Sequence, residues 1–155
     1  MFRRSLVPAT LLPLLLLAGC SDAPTAPPAA REARFEMSLE LAASSVAAGE
    51  PLNFKIRVTN VGDGPGTLAF SSGCMTSFLV SNASGVIYDD RMVVRLCTAD
   101  APTIDVRPGE SIAWASVWPQ ETPNGPAAPG SYRVQGFVLS APAVAAAEAA
   151  FSITP

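Results

Sequence analysis

Residues 52–60, LNFKIRVTN, alternate apolar and polar side chains over their whole length. Successive side chains of a β-strand point to opposite faces of its sheet, so this alternation gives a strand one apolar and one polar face. The apolar face carries Leu52, Phe54, Ile56 and Val58. The next six residues, VGDGPG at 61–66, contain three glycines around a proline and predict a sharp turn. The stretch therefore predicts a half-buried strand that ends at a tight turn.

The same alternation recurs from residue 35 onward and predicts an all-β domain. Further strands are predicted at FEMSLEL (35–41), TLAF (67–70), SFLVSN (77–82), GVIYD (85–89), MVVRLC (92–97), SIAWASVW (111–118), APGSYRVQGFVLS (128–140) and AAFSIT (149–154). Turns are predicted at Asn82–Gly85 and at RPGE (107–110), and the alanine-rich APAVAAAEAA (141–150) is interpreted as a connecting loop or one short turn. Many short strands separated by turns, without a long helix, predict an antiparallel β-sandwich over residues 35–155.

The N-terminus has the features of an export signal. Two arginines precede the apolar residues 6–19, and these fourteen residues are too few to span a bilayer, which takes about 20. The stretch finishes in LAGC, which resembles a bacterial lipobox. The resemblance implies cleavage between Gly19 and Cys20 and a lipid on the Cys20 sulfur. Residues 1–19 are therefore predicted to be a lipoprotein signal peptide.

A lipid on Cys20 implies attachment to a membrane of the bacterial cell envelope, since each buried CH₂ contributes about 0.8 kcal/mol and two or three acyl chains anchor firmly. The residue after Cys20 is Ser21 and not an aspartate. By resemblance to bacterial lipoproteins, this favours the periplasmic face of the outer membrane, if an outer membrane is present. Residues 20–34 are rich in proline and alanine and lack apolar periodicity. They are predicted to be a flexible tether.

Charge and histidine content argue against several functions. Without Arg3 and Arg4 the chain has eight basic and thirteen acidic residues, a net charge of −5, which argues against nucleic acid as a partner. The sequence has no histidine, which excludes Ser-His-Asp and Cys-His catalysis and removes the commonest zinc ligand. We therefore predict no enzymatic activity and no cofactor.

Two cysteines remain besides Cys20. In an oxidising exported compartment Cys74 and Cys97 are predicted to form a disulfide, which stabilises by about 3–3.5 kcal/mol on the chain-entropy model. The alternative is a soft-metal site, because Met75 and Met92 lie nearby in sequence and Cys/Met ligands suit Cu(I). The absence of histidine and the oxidising compartment favour the disulfide, and no metal site is predicted.

Four stretches of the chain resemble the BsuPI-type proteinase-inhibitor domain. They are NFKIRVTNVGDGPGTLAFSSG (53–73), VSNASGVIYD (80–89), VRPGESIAWASVWP (106–119) and APGSYRV (128–134). The resemblance implies an immunoglobulin-like antiparallel β-sandwich of about seven to nine strands and inhibition of a serine protease. Members of the family often carry an aromatic-rich segment after the central hairpin, where this chain has YDDRMVVRLCTADAPT (88–103).

Together these features predict a membrane-anchored lipoprotein whose sandwich is a non-catalytic protein-binding or structural module of the envelope, with a BsuPI-type proteinase inhibitor as the alternative. The segment between Cys74 and Cys97 is the candidate contact region for a protein partner, which could be a protease. The alternative is that the bridge only staples two strands. The candidate partner-binding residues in the segment are Met75, Asp89, Asp90 and Arg91.

Asp89 and Asp90 are the only adjacent carboxylates in the chain. Such a pair can act in acid/base chemistry or bind Ca²⁺, but aspartates in a polar turn more often face solvent or bend the chain.

The aromatic residues are assigned to the core. Trp114 and Trp118 share one face of their strand, and Tyr132 resembles a tyrosine that ties a sandwich corner.

The lipobox resemblance makes a direct prediction about the mature N-terminus. Mass spectrometry of protein extracted from membranes should find Cys20 as the first residue, with a lipid mass on it and no residues of the leader. A Cys20→Ala variant should lose the lipid and leave the membrane fraction, because a thioether needs the thiol. A cytosolic chain with an uncut leader and an unmodified Cys20 would contradict the assignment.

Overall fold

A computed structural model describes residues 30–155, so the predicted signal peptide, with Gly19, and the lipidation residue Cys20 lie outside the described residues. The described range contains thirteen strands and one short 3₁₀ helix, η1, at Asp90–Met92. The strands are β1 Phe35–Leu41, β2 Ser45–Ala47, β3 Leu52–Asn60, β4 Gly66–Phe70, β5 Thr76–Asn82, β6 Gly85–Asp89, β7 Thr103–Val106, β8 Ser111–Trp118, β9 Glu121–Thr122, β10 Gly125–Pro126, β11 Gly130–Val138, β12 Ser140–Ala141 and β13 Ala147–Thr154. In this part of the chain we find no helix with the length and apolarity needed to cross a membrane.

The strands form four hydrogen-bonded sheets within the described range. A five-stranded sheet has the order β2-β13-β11-β5-β6, two three-stranded sheets have the orders β1-β3-β8 and β12-β4-β7, and β9 pairs with β10. Every pairing is antiparallel except that of β2 with β13. Nine strands have four residues or more. The predicted all-β, immunoglobulin-like sandwich is confirmed, and the count of seven to nine holds for these longer strands.

Strand β3 has the bounds that the alternation of LNFKIRVTN predicts, and it lies between β1 and β8. The neighbours on both edges pair its backbone groups, and the alternation leaves one face to be buried. The buried face carries Leu52, Phe54, Ile56 and Val58, all at most 3% exposed. Asn60 ends the strand and is also fully buried.

Aromatic side chains join the β1-β3-β8 sheet to the five-stranded sheet. Trp118, at the end of β8, has its ring centroid 6.0–6.2 Å from the rings of three residues on the other sheet: Tyr88, Tyr132 and Phe151. Its indole N–H donates to the carbonyl oxygen of Glu121 at 3.0 Å. A buried tryptophan thereby gains both apolar contact and a partner for its one polar atom.

The two sheets lie close together at Gly136 in β11. A Cβ atom at this position would stand 2.9 Å from Cδ2 of Leu39 and 3.2 Å from Cγ1 of Ile56. The glycine therefore gives room for side chains of β1 and β3 to reach the backbone of β11. This is close packing between sheets, as interiors packed to crystal density require.

The turn after β3 binds the residues that precede β1. The Asn60 amide group donates to the carbonyl oxygens of Gly64 and Val106, each at 2.9 Å, and accepts from the backbone N–H of Arg34 at 3.2 Å. A Cβ on Gly64 would lie 2.4 Å from the carbonyl oxygen of Arg31, so only glycine fits here. Residues 31–34, which the sequence assigns to the tether, thus run along this turn.

Two sequence predictions require correction. Residues 92–97, predicted as a strand from their β-branched run, are not a strand. Met92 ends η1, residues 93–97 continue as a loop that pairs with no strand of the described residues, and the next strand is β7. Strand propensity reflects how well a side chain packs on a half-buried sheet surface, and no sheet edge receives this run. The last strand begins at Ala147, inside the alanine-rich stretch, because its pairing with β11 extends to Gly136.

The contacts of Trp118 predict that the two sheets depend on it. Trp118→Ala should lower the free energy of unfolding by about 3–5 kcal/mol, because it removes buried surface and leaves a cavity. Val117→Ala is the matched control, since Val117 is the neighbouring residue on β8 but is 53% exposed; it should cost less than about 1 kcal/mol. Urea unfolding of the oxidised protein measures both, and equal losses would contradict this account.

Candidate protein-binding loop

The structure brings three of the four candidate partner-binding residues together. Asp89 ends β6, and Asp90 and Arg91 begin η1 directly after it. Met75 lies apart from them, because it precedes β5, packs partly buried against the core and accepts a hydrogen bond from Leu139 at its carbonyl oxygen. Met75 is therefore a packing residue in this structure, and the other three form one turn at the end of the β5-β6 hairpin.

Asp89 caps η1 and is held by Arg91. Its Oδ1 accepts from the backbone N–H of Arg91 at 3.0 Å and from Nε at 2.9 Å, and its Oδ2 accepts from Nη2 at 2.7 Å. The hydrogen bonds from the Arg91 side chain place the pKa of the Asp89 carboxyl below its ordinary value, and the same pair raises the pKa of Arg91. The guanidinium carbon also lies 4.8 Å from the centre of the Phe137 ring. Both side chains are thus used within the domain.

Asp90 makes a separate ion pair with Arg95. Asp90 is buried, and its Oδ2 lies 2.6 Å from Nη1 of Arg95. The same nitrogen donates to the carbonyl oxygen of Thr76 at 3.0 Å, which ties the loop to the start of β5. Burial, followed by the negative charge of Asp90, raises the pKa of the neighbouring Tyr88. The adjacent aspartates therefore serve as a cap and as an ion-pair partner, which accounts for both carboxylates in terms of structure.

A disulfide fastens the other end of the loop. Cys74 and Cys97 are bonded with their Cα atoms 5.2 Å apart, as the cysteine count predicts. Next to the bridge, the N–H of Gly73 donates to the carbonyl oxygen of Thr98 at 3.1 Å. Because the bond uses both sulfur atoms, no thiolate remains for the soft-metal alternative. Residues 30–155 contain no cluster of three His, Cys, Asp or Glu side chains that could hold a metal ion.

Between these two attachments the chain exposes an apolar segment, residues 92–96, which we name the apolar loop. Of the eight large apolar side chains that the described residues leave exposed, four belong to it. Met92 is 83% exposed, Val94 94%, and Leu96 is fully exposed, while Val93 is about half exposed. Exposed apolar side chains that cluster in this way mark interaction sites. Sequence reasoning missed the loop because its apolar run is equally typical of a strand.

The apolar surface continues from the loop into a groove of about 550 Å³ between β6 and β9. Met92 and Val93 line it on the loop side, Val86 and Tyr88 on the side of β6, and Pro123 follows β9 on the opposite side. Asp89 and Glu121 are also among the residues that line the groove. Loop and groove share Met92 and Val93, and so form one apolar surface beside Asp89 and Glu121.

The fold and this surface define an immunoglobulin-like β-sandwich that presents a constrained apolar loop. A protein-family comparison agrees with the resemblance drawn from the sequence. The chain belongs to the BsuPI family, described as intracellular proteinase inhibitor, whose family model matches residues 39–143. The matched range includes the apolar loop, its disulfide and both ion pairs.

A comparison with solved structures found, among others, a β-glucosidase and a CARDB domain. The β-glucosidase EmGH1 from Erythrobacter marinus has a TM-score of 0.47 at 13% identity over 79% of this chain, which spans only 16% of that enzyme. The CARDB domain of PF1109 from Pyrococcus furiosus, solved with di-metal ions, has a TM-score of 0.43 at 16% identity, covering 78% of this chain and 93% of that domain. A search of curated proteins gave no match.

The two attachments predict which substitution frees the apolar loop. Arg95→Ala leaves Asp90 buried without its cation, and this should cost about 1–2 kcal/mol, since the pair is only partly buried. Hydrogen exchange should rise at residues 93–98, while the core strands keep their protection. Arg133→Ala removes the exposed Arg133–Glu148 pair and is the matched control, with an expected cost of about 0–1 kcal/mol. Unchanged exchange in Arg95→Ala would show that the ion pair does not order the loop.

Proposed function

We propose that this domain inhibits a protease by inserting the apolar loop into the cleft of that enzyme. One observation carries the proposal: within a chain of the proteinase-inhibitor family, residues 92–96 are strongly exposed and apolar while both ends of the loop are fastened. The proposal agrees with the predicted non-catalytic protein-binding role, and it takes a protease as the partner. The inhibitor alternative takes precedence over a purely structural role because the family description supports it.

The physical advantage of such a loop lies in its ordering cost. A flexible segment loses conformational freedom when it binds, at about 0.5–1.5 kcal/mol for each immobilised side chain, and this loss reduces affinity. Here the disulfide and the Asp90–Arg95 pair have ordered the segment before the partner arrives. The apolar side chains then leave water on binding, which contributes about 25 cal/mol for each Å² removed. Order and exposure thus favour the same function.

The proposed site of action is the bacterial cell envelope, with the domain held through lipid on Cys20. The N-terminal sequence LAGC and the proline-rich stretch after it support this location. The disulfide also supports it, since disulfides persist in oxidising exported compartments and are rare in the cytosol. The partner is then a protease that meets the domain outside the cytoplasm, and neither nucleic acid nor a cofactor takes part.

Inhibition of a panel of serine proteases tests the proposal. The parent protein should inhibit at least one of them in the tight-binding regime. Replacement of Met92, Val93, Val94 and Leu96 by serine keeps Arg95 and Cys97, and should weaken inhibition by about 100-fold or more, because hot-spot side chains carry most of the binding energy.

The control variant carries Val61→Ser and Val117→Ser, which remove exposed apolar side chains elsewhere on the surface. It should inhibit like the parent, and circular dichroism should show the same β-sheet signal in all three proteins. A panel left fully active at micromolar parent protein, or a serine variant that inhibits as well as the parent, would overturn the proposal.

A further inference from the structure

Side-chain exposure alternates along the last residues of the apolar loop. Val94 and Leu96 are both exposed by more than nine-tenths, while Arg95 between them turns inward to Asp90. The preceding residue, Val93, has extended backbone angles, with φ −87° and ψ 135°. An alternation of outward and inward side chains is typical of an extended chain. Extended segments are also what clefts with strand-like binding sites accept, since their backbone groups are free to pair.

Leu96 differs from the other exposed residues in being fixed directly on both sides. Arg95 before it is held by Asp90 and by the carbonyl oxygen of Thr76, and Cys97 after it is bonded to Cys74. Its backbone is therefore positioned by two immediate neighbours, while its side chain contacts solvent. Such a residue can enter a pocket with little further loss of backbone freedom.

The neighbouring residues are less suited to this role. The guanidinium of Arg95 is engaged by a buried carboxylate at 2.6 Å, so it is not free to enter a pocket with a carboxylate at its base. Met92 and Val93 line the groove beside the loop. Val94 is exposed, but its side chain is one carbon shorter than that of leucine and branches at Cβ, so it reaches less deeply.

We infer that Leu96 is the residue that fills the primary specificity pocket of the target, and that the target is a serine protease with a large apolar pocket. The inference rests on the function proposed above. The primary pocket of a serine protease sets its preference: an apolar slot takes a large apolar side chain, a pocket with aspartate takes arginine or lysine, and a narrow one takes small side chains. Leucine fits the first of these.

The test measures inhibition constants of the full, oxidised protein against chymotrypsin, subtilisin, trypsin and elastase. The parent should inhibit chymotrypsin or subtilisin at least about tenfold more strongly than trypsin. A better fit of the leucine side chain to the pocket is expected to contribute about 1.4 kcal/mol of binding free energy, which is a factor of ten in affinity. Leu96→Ala should weaken that inhibition about 30-fold or more, the effect typical of a central hot-spot residue. Leu96→Arg should shift the preference towards trypsin.

Val117→Ala is the matched control for loss of an exposed apolar side chain, and it should inhibit like the parent. Thermal melting checks that all variants keep the fold, which is expected because the side chain of Leu96 is at the surface. If the parent inhibits but Leu96→Ala equals Val117→Ala, or if the parent prefers trypsin, the inference about Leu96 is wrong while the proposed function stands. If no protease is inhibited, both are wrong.

Discussion

The packing of Trp118 against the five-stranded sheet is the interaction on which the rest of the structure depends. Its ring lies in contact distance of residues from β6, β11 and β13, so one side chain of β8 joins three strands of the opposite layer. One of these residues is Tyr88, which stands directly before Asp89 and Asp90. The turn that begins the apolar loop therefore follows directly on a residue that packs against the core. Rigid elements position loops precisely, and here only three residues separate Tyr88 from the apolar loop.

The loop itself is held by two attachments of different chemistry. The Asp90–Arg95 ion pair is local and partly buried, so salt screens it less than it screens the exposed pairs elsewhere on the sandwich. The disulfide is covalent and joins the end of the loop to Cys74, in the segment that leads into β5. Val94 and Leu96 remain more than nine-tenths exposed, while Met92 and Val93 line the neighbouring groove. A sequence selected only for stability would bury such side chains or replace them, and their exposure is better explained by binding.

Sequence reasoning succeeded where one local rule decides the structure. Period-two alternation gave β3 and β8 their bounds, because burial of one face and pairing on both edges agree with it. It failed at residues 92–97, where the same residue types occur without a sheet edge to receive them. The ion pair that holds the loop joins residues five apart in sequence, and neither strand nor helix periodicity predicts a contact at that spacing. Cysteine count and the adjacent aspartates pointed to the right region, but the exposed side chains that define the surface appear only in three dimensions.

Residues 31–34, which lie along the turn after β3, limit how far the folded domain can stand from the proposed lipid anchor at Cys20. Because these residues are bound to Asn60 and Asp63, the folded body begins earlier in the chain than its first strand. Ten residues, 21–30, then separate the body from Cys20. Even fully extended they reach about 35 Å. In the proposed lipid-anchored form, the linker keeps the domain within about 35 Å of the membrane surface. Confinement there raises its local concentration relative to proteases on the same surface.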